Sequence, residues 1–95
     1  MIKIEVLDNS ITIKGHANYD DFGKDIVCSS ISSIAITTIN AILRFDSDNL
    51  TYEEKDGYLK IIINKHNREV DLLITNMLDL FKELEKQYKN NIKIN

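Results

Sequence analysis

The run Ile11-Thr12-Ile13-Lys14-Gly15-His16-Ala17-Asn18-Tyr19-Asp20-Asp21-Phe22-Gly23-Lys24-Asp25-Ile26-Val27-Cys28-Ser29-Ser30-Ile31 decides the fold, because its apolar period changes partway along. Residues 11–14 alternate apolar and polar, the pattern of a half-buried strand, whereas from Asp25 onward apolar residues recur at helical spacing. The segment 17–24 between them follows neither period and reads as a mobile loop. Toward the N-terminus, Ile2, Ile4 and Val6 alternate with Lys3 and Glu5, and Asp8-Asn9-Ser10 supplies a tight turn, so residues 2–15 form a hairpin. Toward the C-terminus the helix extends to about Phe45. Ile31, Ile34, Ala35, Ile39, Ile42, Leu43 and Phe45 fall on one arc with Cys28, opposite Ser29, Ser30, Ser33, Thr37, Asn40 and Arg44.

Asp46-Ser47-Asp48-Asn49 ends that helix, and a second hairpin follows, residues 50–54 and 58–63 around Lys55-Asp56-Gly57. The unbroken Ile61-Ile62-Ile63 predicts a strand covered on both faces or lying at a subunit contact. His66 reads as an exposed loop residue. A second helix runs from Arg68 to about Tyr88, with Val70, Leu73, Ile74, Met77, Phe81, Leu84 and Tyr88 as its apolar stripe. Ile92 and Ile94 then alternate with Lys93 and Asn95 as a short edge strand. The order ββαββ(α), with a possible final strand, predicts an α+β two-layer sandwich, a mainly antiparallel sheet with two helices on it, in a single domain over residues 1–95. A sheet this small with an exposed edge invites dimerisation.

With 95 residues the chain builds a core without a disulfide or metal staple, and its single cysteine forms no internal disulfide. The N-terminus carries no basic leader, and no window approaches the roughly 18 apolar residues of a membrane span. These features predict a reducing, cytoplasmic setting and no membrane partner. A net charge of −3, with acids at Asp20-Asp21, Asp46, Asp48, Glu53-Glu54 and Asp56, argues against nucleic-acid binding and suits either a basic polypeptide or simple solvation.

Cys28 and His16 are the residues with chemistry to offer. A lone cysteine is often a small buried hydrophobe, and Cys28 lies on the inward arc. Its position also suits a nucleophile: with Asp25 as N-cap, Cys28 falls in the first helical turn, where free N–H groups and the helix dipole favour a thiolate and an oxyanion. His16 stands at the end of the preceding strand, a firm mount for a general base, and packing of the helix start beside it brings the pair within hydrogen-bonding reach. Asp25 has two readings, a helix cap or a third group that orients His16. Tyr19 lines a substrate groove or tucks into the core, and Phe22 suits the core. His16, Cys28 and Asp25 supply too few ligands for a closed zinc site, no cofactor is implied, and a redox role lacks a resolving cysteine.

Gly15-His16-Ala17, Gly23 and Asp25-Ile26-Val27-Cys28 before a Ser-rich helix start, with twelve positions from His16 to Cys28, resemble the ribosomal-processing cysteine protease family, Prp. Ser29-Ser30 stand where that family usually has two alanines, and Asn18 where glycine is common. The resemblance implies a homodimeric cysteine endopeptidase with His16 and Cys28 as its dyad. It implies removal of the N-terminal extension of a ribosomal large-subunit protein, cut after aromatic residues, with Gly15, Tyr19 and Gly23 in a loop that gates the site. The rival expectation is a non-enzymatic dimeric module for ribosome assembly, in which Cys28 is structural.

Overall fold

The alternation near the N-terminus produces β1 (Ile2–Val6) and β2 (Ser10–Lys14), an antiparallel pair in which Ile4 faces Ile13 and Val6 faces Ile11. The computed structural model describes residues 1–21 and 24–95. The expectations placed on Phe22 and Gly23 lie outside the described residues. α1 (Ile26–Phe45) follows, then β3 (Leu50–Lys55), β4 (Tyr58–Ile63), α2 (Arg68–Gln87) and β5 (Ile92–Ile94). The order along the chain is therefore ββαββαβ, and the tail is a strand, as its alternation predicts.

Across the sheet the order is β3-β4-β2-β1-β5, antiparallel throughout except for the parallel β1/β5 pair. β2 pairs with β4, so that Ile13 faces Leu59 and Lys14 faces Tyr58. This places the Asp56-Gly57 turn of the second hairpin beside the end of β2, where His16 begins. The two hairpins are sealed there by the Gly15 N–H, which donates to the Gly57 carbonyl at 2.8 Å. One face of the sheet presents Ile2, Ile4, Ile11, Ile13, Leu59, Ile61 and Ile63 to the core. Val27, Ile31, Ala35, Ile39 and Ile42 of α1 and Val70, Ile74, Met77 and Phe81 of α2 close over them.

Three expectations need correction. Ile62 is 41% exposed while Ile61 and Ile63 are buried, so the triple-Ile strand is not covered on both faces, because a two-layer fold covers only one; its other reading, a strand at a subunit contact, stays an expectation. Phe45, the last residue of α1, is 63% exposed, while Ile42 three residues earlier is fully buried, so the buried stripe of the helix stops short of its end. Finally, α1 is by length and composition apolar enough to cross a membrane, since only Arg44 is charged and its serines and threonines weigh little in hydropathy. Its buried face packs on the core instead, with Thr38 satisfying its hydroxyl on the Ile34 carbonyl at 2.8 Å.

The end of α1 and the start of α2 are joined through a buried polar residue, Asn49. Its side chain donates to the Ile42 carbonyl at 3.3 Å and accepts from Asn67 at 3.0 Å, while Asn67 caps α2 through the Val70 N–H. His66 is exposed as expected, yet both ring nitrogens are engaged, one with Asp71 at 2.9 Å and one with Asn9 at 2.8 Å.

Candidate active site

The helix start is built by Asp25. Its extended backbone breaks into the helix, and its Oδ1 accepts the N–H groups of Val27 and Cys28, each at 3.0 Å. The other oxygen, Oδ2, accepts the N–H groups of Tyr19 at 2.9 Å and Asp20 at 3.4 Å. One buried carboxylate thus fixes both the helix start and the loop before it. Burial pushes its pKa up, but the four backbone N–H groups outweigh that and hold it below the usual carboxylate value. Both oxygens are spent on backbone, so Asp25 acts here as a cap and anchor and has no hydrogen bond to His16 among the described residues.

Cys28 lies in the first turn of α1, half-buried, packed against the core from its edge. Its Sγ accepts a hydrogen bond from the Ala17 N–H at 3.2 Å. Among the described residues no hydrogen bond joins it to His16, so the expected direct contact is not made in this structure. The expectation that amides around Cys28 serve an oxyanion also changes. The Val27 and Cys28 N–H groups are occupied by the Asp25 carboxylate, and the Ser29 N–H by the Asp25 carbonyl at 3.1 Å.

His16 leaves the end of β2 with its side chain 49% exposed, its Nε2 3.9 Å from Asp56 Oδ2. The ring rests on Gly57, where a Cβ would come within 2.8 Å of Nε2; Gly57 therefore makes room for the imidazole as well as taking the φ of +65° that its turn needs. Gly15, at φ +92°, runs so close to the N-terminus that a Cβ would meet the Met1 carbonyl at 2.4 Å. It belongs to the fixed end of the strand. Asn18 takes φ +56°, the left-handed region in which glycine is most at ease and asparagine is tolerated. Tyr19 is 49% exposed and packs edge-on against Tyr88, ring centres 5.3 Å apart, so it does not tuck into the core.

His16, Cys28, Ser32 and Asp56 line two adjoining hollows of about 560 and 450 Å³. One runs between α1 and the second hairpin past Ile36, Glu54 and Leu59; the other opens toward Asn18, Asp20 and Asp25. Ser32, Asp56 and Gly57 were not singled out by sequence reasoning. Ser32 follows Cys28 by one turn and was legible from helical spacing; the other two come to the site only through the β2/β4 pairing. Among the described residues no group of three or more His, Cys, Asp or Glu side chains is arranged to hold a metal ion.

The family model for cysteine protease Prp matches residues 1–93 of the chain. The ribosomal processing cysteine protease Prp of Staphylococcus aureus is 28% identical over 104 residues, covering 100% of this chain and 98% of that protein. Its namesake from Mycoplasma genitalium is 32% identical over 99 residues, covering 100% and 95%. The crystal structure of the S. aureus ribosomal processing protease Prp with a covalently linked product peptide superposes with a TM-score of 0.87 at 29% identity, covering 99% of this chain and 95% of that one. The same protease with a substrate peptide gives 0.82 at 28% identity and the same coverage. A strand-end histidine, a capped helix start carrying the only cysteine, and a family match along nearly the whole sequence lead to one conclusion: the chain belongs to the cysteine protease Prp family.

Proposed function

We propose that residues 1–95 act as one catalytic domain in which Cys28 is the nucleophile and His16 the general base, and that the substrate is a ribosomal large-subunit protein carrying an N-terminal extension. His16 takes the thiol proton, the sulfur attacks the scissile carbonyl carbon, and the C–N bond breaks as the imidazolium returns the proton to the leaving amine. Water, deprotonated by His16, then releases the acyl group from sulfur. The single observation that carries this reading is that the only cysteine sits at a capped helix start and shares one cleft with the histidine at the neighbouring strand end. The imidazole rests on Gly57 beside Asp56 and lines the same cleft as the sulfur, and catalytic hydrogen bonds often tighten only once substrate is bound.

Substrate-peptide and product-peptide complexes of the S. aureus protease support a peptide as the ligand of this cleft. The chain then works in the cytoplasm, where ribosomal proteins are made, without contacting nucleic acid directly. The free edges of β3 and β5 suit a homodimer. The test is cleavage of the extended ribosomal protein, followed by intact mass, with wild type, Cys28→Ala and His16→Ala. Loss of the extension with the wild type alone is the expected result. Equal cleavage by His16→Ala removes the dyad, and binding without cleavage by all three revives the assembly-module alternative.

A further inference from the structure

Among the described residues the sulfur of Cys28 receives one hydrogen bond, and the residue that gives it is itself held from the other end of the chain. Ala17 is buried at 1% exposure. Its N–H points at Cys28 Sγ at 3.2 Å, and its carbonyl accepts from the Asn91 side-chain Nδ2 at 2.9 Å, across 74 positions of sequence. Asn91 is rigidly mounted. Its N–H donates to the Tyr88 carbonyl at 2.8 Å, and its own carbonyl accepts the Ile2 N–H at 2.8 Å, where β5 begins to pair with β1. Tyr88 of the same segment packs on Tyr19.

The peptide group before Ala17 touches the sulfur, and the one after it is tied to Asn91. Between them only the φ and ψ of a buried alanine are free, so orienting one orients the other. The Val27, Cys28 and Ser29 amides of the helix start have no share in this, being taken up by the Asp25 carboxylate and carbonyl. Among the described donors, then, the Ala17 N–H is the one aimed at sulfur, where a donor stabilises the anionic form.

We propose that Asn91 is a positioning residue of the active site, holding Ala17 so that its N–H meets the Cys28 sulfur. The inference rests on reading Cys28 as the nucleophile. The titratable groups sharing the cleft with Cys28 are His16, Asp20, Asp25, Glu54, Lys55, Asp56 and Tyr58, and replacing the neutral Asn91 by alanine removes or adds no charge among them.

Because Cys28 is the only cysteine, alkylation of the whole protein by iodoacetamide reports this sulfur alone. The experiment follows alkylation rate against pH, cleavage kcat and KM, and Tm, for wild type, Asn91→Ala, Asn91→Ser and Glu85→Ala, at a temperature where all are folded. Glu85→Ala is the control: it loosens the same tail by removing the carboxylate that accepts the Ile94 N–H at 2.7 Å, and among the described residues Glu85 makes no hydrogen bond to Ala17. For Asn91→Ala the alkylation profile is expected to move to higher pH and kcat to fall about tenfold, with KM changed by less than about twofold. Asn91→Ser, which keeps a shorter donor, falls between, and carries the test if the alanine variant does not fold. Glu85→Ala keeps the wild-type profile and kcat. A wild-type profile and kcat in Asn91→Ala, or an equal shift in Glu85→Ala, overturns the proposal. Failure of the nucleophile reading shows separately, as a Cys28→Ala variant that cleaves like the wild type.

Discussion

Removing the Asp25 carboxylate should cost more stability than any other single polar change at the site, and the amount follows from its four hydrogen bonds. Asp25→Ala loses the N-cap on Val27 and Cys28, worth about 1 kcal/mol. It also loses the bonds to Tyr19 and Asp20, which lie at an exposed surface where water replaces them in part, for about 1 kcal/mol more. The sum of about 2 kcal/mol corresponds to a drop in Tm of about 8–16 °C for a chain of this size. Asp25→Asn keeps one acceptor oxygen and should lose about half as much. The carboxyl is held below its ordinary value of 3.8 in the folded protein, so in the window around and below that value the unfolded state binds more protons. Its contribution is therefore fully present above the ordinary value and is lost as the pH falls through the depressed folded value. Urea unfolding of wild type and Asp25→Asn at neutral pH and at stepwise lower pH should show two curves that differ at neutrality and converge in acid. A Tm for Asp25→Ala within about 3 °C of wild type refutes the anchor. So does an Asp25→Asn variant of unchanged Tm that has lost all turnover, the signature of a carboxylate whose work is to orient His16.

Other substitutions probe the frame around the site. Gly15→Ala combines a φ of +92° with a Cβ 2.4 Å from a backbone oxygen, and should destabilise by about 3 kcal/mol or more in denaturant titration. Gly57→Ala adds a Cβ 2.8 Å from His16 Nε2, and because a side-chain ring yields more readily than backbone, cleavage should fall roughly ten- to hundredfold while stability falls by only about 1–2 kcal/mol. Asn49→Ala leaves the Ile42 carbonyl and the Asn67 amide without this partner and should cost about 1–3 kcal/mol in unfolding free energy, with cleavage unchanged at temperatures where the fold persists.

Local spacing was enough to read most of the elements. A period of two fixes which side of a strand faces the core, and a helical period fixes which stripe of a helix is buried. The two hairpins, both helices, the Asp25 cap and the final strand therefore follow from residues close in sequence. The motif from Gly15 to Cys28 also stood within one short stretch, which is why the family was legible there. Residue type and spacing carry no record of which strands lie side by side. The pairing of β2 with β4, which lays Gly57 under His16 and sets Asp56 beside it, depends on the register of the whole sheet. The same holds for Asn91, whose contact with Ala17 spans 74 positions and exists only because β5 returns to pair with β1. Tertiary packing likewise decided that Phe45 and Ile62 face outward and that Asp25 spends both oxygens on backbone N–H groups. Sequence by itself determined the chemical groups and their local mounts; the fold decided their neighbours, because a hydrogen-bond donor is chosen by distance in space and not by distance along the chain.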